Sequence, residues 1–237
     1  SYATFALSAA ARGLMLPRPD VLIATSPQFL TAVTGAVIAK ARDVPLVVEI
    51  RDLWPRSIWE VGAMPRSHPI IRVLEQLENW LYREADSVVV VTRSFVDEVW
   101  PARNVIVVTN GVDMNRFDPR ISGADARIRL GLSPERAVAL YAGTHGMAHG
   151  LETVIEAARL TPEVDFVFVG EGACKADLAA AAAGVPNTFF RPGQPRESMP
   201  ELYAMADICL VPLRDLPLFT TVIPSKIFEI MAMGRPL

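Results

Sequence analysis

The sequence predicts an α/β fold made of two Rossmann-like parallel-sheet domains that face each other across a cleft, both of them incomplete. Three observations favour this fold. Short apolar runs, several nearly continuous in Val, Ile and Leu, have the length of strands covered on both faces. They alternate with segments of helical periodicity, as in sheets flanked by helices. A stretch without periodicity interrupts the alternation near the middle of the chain.

The apolar runs are the predicted strands. They lie at residues 20–25, 45–50, 87–92, 105–109, 137–142, 165–170, 187–191 and 207–212. Apolar stripes predict helices between them, one at Ile70, Leu74, Leu77 and Leu81 and another at Leu151, Val154, Ile155 and Ala158. In open parallel sheets ligands bind beyond the carboxyl ends of the strands, so the residues that follow the strands are the candidate site residues.

The interruption predicts a domain boundary. Residues 114–123 carry Pro119 and charged side chains with little periodicity, and a helical pattern restarts near Ala124. We predict a first domain at residues 1–113, a linker at 114–123 and a second domain at 124–237. The chain lacks an initiator methionine and stops where a further strand is expected. We therefore expect it to be an internal fragment of a longer protein.

Composition narrows the classes of function. The 237 residues carry 23 basic and 26 acidic side chains, a net charge of −3, and no run of Lys and Arg, which argues against a nucleic-acid partner. The two cysteines lack metal-binding spacing and the three histidines are scattered. We predict no metal site, no disulfide framework and a reducing compartment.

The uncharged stretch at residues 21–39 is long enough to raise the question of a membrane span. Polar and turn-forming residues at 25–28 divide it into a strand, a turn and a helix start, so we predict no span. No signal peptide is visible. We predict a cytoplasmic protein with at most peripheral contact with the inner face of the plasma membrane, through Arg51, Arg56, Arg66 and Arg72.

The segment at residues 224–236 is the most informative one. A proline and Ser225 stand where a helix begins, and a glycine ends it. Lys226 and Glu229 lie on its first turn. Helix starts expose unpaired amides and a partial positive charge, so they hold phosphates well. A carboxylate one turn further on can accept hydrogen bonds from a ribose diol. The segment suggests a nucleotide-sugar site, with an ordinary capped helix as the alternative.

Two glycine-bearing turns each follow a predicted strand and precede a helix. One contains Gly143, Thr144, His145, Gly146 and His149, and the other contains Gly170, Glu171, Gly172 and Lys175. Glycines let the backbone approach a ligand closely, so both turns are candidate parts of the donor site. A tight strand–helix turn with an exposed lysine is the alternative for the second turn.

Seven segments in order carry a resemblance to a known family. They are RPDVLIATSP at 18–27, EIRDLWP at 49–55, NGVD at 110–113, YAGTHG at 141–146, GLE at 150–152, FVGEG at 168–172 and PSKIFE at 224–229. The chain resembles family 4 of the retaining glycosyltransferases, whose architecture is called GT-B. It is most similar to the branch of bacterial O-antigen and capsule transferases that includes L-fucosamine transferases.

The resemblance implies roles for the donor-site residues. The turn at 170–172 would lie near the nucleobase and diphosphate, with Lys175 on the phosphates. In the family an arginine and a lysine stand where this chain has Thr144 and His149, so a hydroxyl and an imidazole would donate there instead. Glu229 matches the glutamate that binds the ribose hydroxyls, and a solvated helix acid is its alternative. The first of the two family glutamates, eight positions earlier, would fall on Thr221, which is not acidic but whose backbone amide could still contact the sugar.

On the acceptor side, many relatives have a histidine near the end of the second strand, where this chain has Arg51 and Asp52. Asp52 is placed to accept or orient the proton of an acceptor hydroxyl. A structural contact is its alternative, and retaining transfer can also proceed with the departing phosphate taking the proton. Trp54 would contact a lipid-linked acceptor, unless it packs in a core.

The resemblance therefore implies a metal-independent glycosyltransferase that uses no cofactor. It would move a sugar with retention from a nucleotide-diphosphate donor, expected to be UDP-linked, to a polyprenyl-diphosphate-linked saccharide in surface polysaccharide synthesis. The chain offers no DxD-type carboxylate pair at a strand end. A nucleotide-sugar 2-epimerase of the same architecture is one alternative. A non-catalytic nucleotide-sugar-binding protein is another, because uncharged residues replace charged family residues.

Overall fold

The computed structural model describes residues 2–237, which form two compact units. The first unit comprises the described residues up to Thr109 together with Leu216–Val222. The second unit comprises Asn110–Asp215 together with Ile223–Leu237. Each unit contains a four-stranded parallel sheet with helices, which confirms the predicted pair of Rossmann-like domains.

The first unit has the strand order β1-β2-β3-β4. Its strands are β1 (Leu22–Ser26), β2 (Leu46–Ile50), β3 (Ser87–Val90) and β4 (Val105–Val107), and its helices are α1 (Tyr2–Met15), α2 (Phe29–Arg42), α3 (Arg56–Glu60) and α4 (Pro69–Glu84). Alternate side chains of β2 and β3 are fully buried, as in strands that press one face onto a core. Helix α2 can lie close to β1 because Gly35 has no side chain. A Cβ at this position would come within 2.7 Å of the Ala24 Cβ.

The second unit has the strand order β7-β6-β5-β8. Its strands are β5 (Ala137–Ala142), β6 (Val164–Val169), β7 (Thr188–Arg191) and β8 (Ile208–Cys209), and its helices are α5 (Ala124–Leu130), α6 (Leu151–Leu160), α7 (Lys175–Ala181), α8 (Met199–Met205) and α9 (Lys226–Ala232). Strands β5 and β6 are buried over nearly their whole length. Leu140 faces a core that includes α8 and α9, whereas Tyr141 faces one that includes α6 and α7. Helices therefore cover both faces of this sheet.

The two predicted helical stripes have different outcomes. All four stripe residues of α6 are buried, as predicted. In α4 the buried face begins at Ile71, which is fully buried, while Ile70 is 52% exposed. The prediction was wrong at Ile70 because positions 70 and 71 are both isoleucine, so the apolar pattern alone cannot tell which of the two faces the core.

Residues 114–123, which we predicted to be a linker, differ from that prediction in the structure. Phe117 is buried in the core of the second unit, with its ring 6.2 Å from that of Tyr203. Gly123 lies so close to the backbone of Met205 that a Cβ would overlap it. The stretch is polar overall, but Phe117 and the partly buried Ile121 pack it against the core of the second unit.

Residues 216–222 belong to the first unit, although the second predicted domain runs without a break from 124 to 237. Leu218 is buried in the core of the first unit, and the Thr92 hydroxyl donates to the Thr221 carbonyl oxygen over 3.1 Å. A short apolar segment gives no local signal of the unit against which it packs. The sequence therefore did not indicate this excursion of the chain.

Across residues 2–237, no helix combines the length and the apolar character that crossing a bilayer requires.

We expect Leu218→Ala to destabilise the first unit by about 2–5 kcal/mol, because the change leaves a cavity in its core. Hydrogen exchange should accelerate at the amides of β1–β4 and remain unchanged at β5–β8. Leu160→Ala is the matched control, since Leu160 is 83% exposed. Equal exchange in the two variants would show that residues 216–222 do not contribute to the first unit.

Candidate functional site

A pocket of about 430 Å³ lies at the carboxyl ends of β5 and β6 in the second unit. This volume is within the range of small-molecule sites. The pocket is lined by Ala142, Gly143, Thr144, Val169, Gly170, Glu171, Gly193, Gln194, Met199, Tyr203, Lys226 and Glu229. Half of these residues were predicted from the sequence, namely Gly143, Thr144, Gly170, Glu171, Lys226 and Glu229. The structure thus brings the two glycine turns and the start of α9 to one place.

The two glycine turns are bonded to each other through their backbones. The His145 amide donates to the Glu171 carbonyl oxygen, and the Cys174 amide donates to the His145 carbonyl oxygen, both over 2.9 Å. Gly170 has a φ of +153°, and a Cβ there would overlap the Gly143 carbonyl oxygen. Only glycine allows this approach, so the pocket wall depends on it.

His145 supports these turns from beneath. Its ring is fully buried and lies 5.9 Å from Tyr141, 6.4 Å from Phe168 and 6.1 Å from Phe190, centroid to centroid. Among the described residues, neither ring nitrogen has a hydrogen-bond partner. Burial lowers the pKa of His145, and the nearby Lys175 ammonium lowers it further. The predicted donor-site residue therefore places a neutral ring below the turn rather than in the pocket.

Lys226 brings a half-buried cation to the pocket. Its Nζ donates to the Ala142 carbonyl oxygen over 2.9 Å and lies 4.3 Å from the centroid of the Tyr141 ring. A Cβ at Gly143 would come within 2.5 Å of this nitrogen, so that glycine makes room for it. Burial lowers the pKa of Lys226 to about 8, against an opposing effect of Glu229.

Glu229 lies on α9, one turn after its start, and its carboxylate reaches the same pocket. Oε2 accepts a hydrogen bond of 3.0 Å from the Tyr203 hydroxyl. Oε1 has no hydrogen-bond partner within residues 2–237. One carboxylate oxygen is therefore held by the protein while the other can accept from a ligand.

Lys175 is engaged by the turn itself. Its Nζ donates to the Gly170 carbonyl oxygen over 2.9 Å and to Glu171 Oε1 over 2.8 Å. The Glu171 carboxylate also accepts from the Gly193 amide over 3.3 Å. The hydrogen bonds from Lys175 and Gly193 lower the pKa of Glu171. The structure shows Lys175 closing the turn, and its predicted contact with phosphates stays a prediction.

Five other predicted donor residues do not line the pocket. They are Gly146, His149, Gly172, Thr221 and Ser225. The His149 ring lies 5.8 Å from that of Tyr141, and burial lowers its pKa. Thr221 belongs to the segment that packs in the first unit.

At the start of α9 the structure differs from the prediction that unpaired backbone amides are available there. Ser225 is exposed and does not cap α9. The amides of Ile227 and Phe228 already donate to the carbonyl oxygens of Pro224 and Ser225. The start of this seven-residue helix thus offers few free amides, and Lys226 adds a cationic side chain there.

The predicted acceptor-side residues lie in the first unit, after β2. The Trp54 ring packs on Phe29 at a centroid distance of 4.8 Å, and both line a largely apolar pocket of about 330 Å³. Arg51 and Asp52 are exposed. The pKa of Asp52 is raised because nearby protein atoms partly desolvate its carboxyl group, and the positive charge of Arg51 partly offsets this effect. A raised pKa brings a carboxylate closer to the range that suits a general base.

The predicted basic patch is partly neutralised. Arg56 pairs with Glu98 at 2.7 Å and with Glu60 at 3.3 Å. The Arg66 guanidinium lies over the Trp59 ring, 4.8 Å from its centroid. Attraction to lipid headgroups would therefore fall mainly on the remaining arginines of the patch.

Within the part of the chain that the structure describes, no group of three or more His, Cys, Asp or Glu side chains is arranged to hold a metal ion.

The sequence did not single out six of the pocket residues. Ala142 and Val169 are the last residues of β5 and β6, and the other four are Gly193, Gln194, Met199 and Tyr203. Tyr203 carried one usable signal. It lies on a helix whose other positions are mostly buried, and a buried tyrosine usually finds a hydrogen-bond partner. Its partner, Glu229, is 26 residues away, so spacing could not identify it.

Two family models match the chain. Residues 2–111 match the Glycosyl transferase 4-like domain, and residues 136–237 match Glycosyl transferases group 1. The second match contains the whole pocket. The first half of the chain therefore carries a Glycosyl transferase 4-like domain, and the second half carries a domain of Glycosyl transferases group 1.

Relatives agree with this assignment. The chain is 30% identical over 230 residues to the putative colanic acid biosynthesis glycosyl transferase WcaI of Escherichia coli (strain K12), covering 92% of this chain and 56% of that protein. It spans about half the length of the curated relatives that it matches.

Two solved structures show the same fold. Sucrose-phosphate synthase from Thermosynechococcus elongatus superimposes with a TM-score of 0.75 at 18% identity, over 99% of this chain and 58% of that one. HepE of Anabaena in complex with UDP and glucose gives a TM-score of 0.73 at 20% identity, over 99% and 61%. The predicted GT-B fold is confirmed.

We expect Gly170→Ala to destabilise the second unit by at least about 2 kcal/mol, because the new Cβ would overlap the Gly143 carbonyl oxygen and separate the two turns. Chemical denaturation measures the loss. Gly111→Ala is the matched control, since no atom lies within 4 Å of a Cβ at Gly111 and its φ is not positive. Equal stability of the two variants would contradict the close contact between the turns.

Proposed function

We propose that the complete protein is a retaining glycosyltransferase. It moves a sugar from a UDP-linked donor to a lipid-linked saccharide acceptor in surface polysaccharide synthesis. The observation that carries the proposal is the pocket in which Glu229 and Lys226 meet two glycine turns at the carboxyl ends of parallel strands. Such a pocket offers a hydrogen-bond acceptor for the ribose hydroxyls, a cation and accessible backbone in one place.

Each donor group has a partner in this pocket. The free oxygen of Glu229 accepts from the ribose diol. The Lys226 ammonium faces the diphosphate, with the Thr144 hydroxyl as a further donor, and the backbone at Gly143 and Gly170 allows close approach. Lys226 thus takes the place of the arginine and lysine that the family carries elsewhere. HepE, which has the same fold, is described in complexes with UDP and with UDP-glucose.

The reaction needs no metal ion or cofactor in this proposal. The bond between the sugar C1 and the β-phosphate oxygen breaks, and its electron pair leaves with UDP. The acceptor oxygen forms a new bond to C1 on the same face. Its proton passes to Asp52 or to the departing phosphate. Lys226 stabilises the charge that develops on the leaving group, where a low dielectric strengthens the interaction.

The acceptor belongs to the first unit in this proposal. The apolar pocket beside Trp54 suits the start of a polyprenyl chain. The names of WcaI, a putative colanic acid biosynthesis glycosyl transferase, and of TuaH, a putative teichuronic acid biosynthesis glycosyltransferase of Bacillus subtilis, favour a surface polysaccharide. We place the protein in the cytoplasm with peripheral contact at the membrane, and we keep the L-fucosamine transferase branch as part of the proposal.

Both family models describe glycosyl transferases, which favours transfer over the 2-epimerase alternative. One observation supports a non-catalytic binding protein as a second candidate. Lys175 is engaged by its own turn, and Thr144 is uncharged, so the site has fewer free cations than the family pattern. UDP binding without transfer to any acceptor would favour this second candidate.

We expect Glu229→Ala to weaken UDP binding at least tenfold, because a hydrogen bond to a carboxylate contributes about 1.5–3 kcal/mol. Isothermal titration calorimetry measures the affinity. Glu163→Ala, which removes an exposed carboxylate outside the pocket, should bind UDP like the unaltered protein. Unchanged UDP affinity in Glu229→Ala would exclude the ribose contact.

UDP affinity should fall by at least about fivefold between pH 7 and pH 9.5. The folded-state pKa of Lys226 is about 8, below its ordinary 10.5, so the ammonium is present below that pH and is lost as the pH rises through it. The phosphates are already ionised above about pH 7 and contribute no trend.

Lys226→Met should bind UDP more weakly at pH 7 and lose most of the pH dependence. Calorimetric titrations at a series of pH values compare the two proteins. An affinity of the unaltered protein that stays constant up to pH 9.5 would show that Lys226 does not act as the phosphate cation.

A further inference from the structure

We infer that Tyr203 is a positioning residue for Glu229 and that it sets the preference of the pocket for a ribonucleotide over a 2′-deoxyribonucleotide. The inference rests on the proposed function, because it assigns the pocket to a nucleotide-sugar donor. The sequence analysis did not single out this tyrosine.

Tyr203 is a rigid support. It lies on α8, only 2% of its surface is exposed, and its ring packs 6.2 Å from that of Phe117 in the core of the second unit. Its hydroxyl is its only polar side-chain atom and donates to Glu229 Oε2 over 3.0 Å. Both residues line the pocket. The core therefore holds one end of this hydrogen bond in place.

Glu229 needs such a support. The side chain of a glutamate has three rotatable bonds, and fixing it costs conformational entropy when a ligand binds. The Lys226 ammonium, on the same turn of α9, attracts the carboxylate electrostatically. The Tyr203 hydroxyl offers a competing and directional contact. It fixes Oε2 and leaves Oε1 as the acceptor for the sugar diol.

The hydroxyl stays protonated, and so remains a donor, through neutral and moderately alkaline pH. Burial raises the pKa of Tyr203 well above its ordinary range, and the Glu229 carboxylate raises it further. The hydrogen bond therefore keeps one direction, from the phenol to the carboxylate.

A carboxylate fixed by Tyr203 affects the preference between UDP and 2′-deoxy-UDP, whereas packing of the tyrosine ring alone would not. A fixed carboxylate oxygen makes its full hydrogen bond with the ribose 2′- and 3′-hydroxyls, and the bond is weakened when the 2′-hydroxyl is absent. A mobile carboxylate recovers less of this energy with UDP, while its contact with 2′-deoxy-UDP changes little. Loss of the Tyr203 hydroxyl should thus reduce the difference between the two nucleotides.

The experiment compares UDP and 2′-deoxy-UDP by calorimetry in the unaltered protein, in Tyr203→Phe, in Glu229→Gln and in the double variant. The unaltered protein should prefer UDP by about tenfold or more. Tyr203→Phe should lower this preference by at least about threefold, with little change for 2′-deoxy-UDP. The double variant should show the same preference for UDP over 2′-deoxy-UDP as Glu229→Gln, because the two residues act on one contact.

Tyr82→Phe is the matched control. The Tyr82 hydroxyl also donates to a glutamate, Glu78 Oε1, over 2.7 Å, and Tyr82 is equally buried, but it lies in the first unit. This variant should keep the full preference for UDP. Thermal melting of each variant shows whether the fold is retained, and the phenylalanine preserves the packed ring in both.

The outcomes separate the inference from the proposed function. If Tyr203→Phe binds both nucleotides more weakly by the same factor, Tyr203 is only structural and the inference is wrong. A preference equal to that of the unaltered protein contradicts it too. If the unaltered protein binds UDP but Glu229→Gln keeps the preference, the ribose contact itself is wrong. Failure of the unaltered protein to bind either nucleotide overturns the proposed function together with the inference.

Discussion

The close contact between the turns after β5 and β6 is the constraint on which the site depends. The His145 amide and carbonyl bond to the second turn, and the missing side chain of Gly170 lets the Gly143 carbonyl approach. The His145 ring fills the space below with an uncharged aromatic surface. Because the two turns act as one wall, the strand ends, Lys226 and Glu229 keep their places around a single pocket.

Few charged side chains line this pocket, and each has a specific protein contact. Lys175 and Glu171 form an ion pair of 2.8 Å, and Lys175 also donates to the Gly170 carbonyl oxygen, so both charges help to close a turn. Lys226 is half-buried and bonded to a backbone carbonyl, which costs solvation and lowers its pKa to about 8. A nearby anion would favour the charged form of Lys226, because opposite charges attract strongly where water is scarce. Under the proposed function, this distribution of charge would let a site without the usual family cations bind a diphosphate.

The predictions that came from periodicity and from turns agree with the structure where the local pattern is unambiguous. The α6 stripe, the strand runs and the helix near Ala124 are examples. The pattern failed where neighbours are equally apolar, as at Ile70, and where one residue outweighs its polar surroundings, as at Phe117. For the site, the glycine turns, Lys226 and Glu229 were found from the sequence, because strand ends and helix starts leave local signals.

The sequence by itself determined the α/β class, the parallel sheets and the elements that carry the candidate donor residues. These features follow from the spacing of apolar residues, from glycines and from prolines, which act over a few positions along the chain. Tertiary structure alone decided that His145 lies beneath the turn, that residues 216–222 pack in the first unit and that Tyr203 holds Glu229. Each of these depends on contacts between residues far apart in the chain, whose distance no local pattern records.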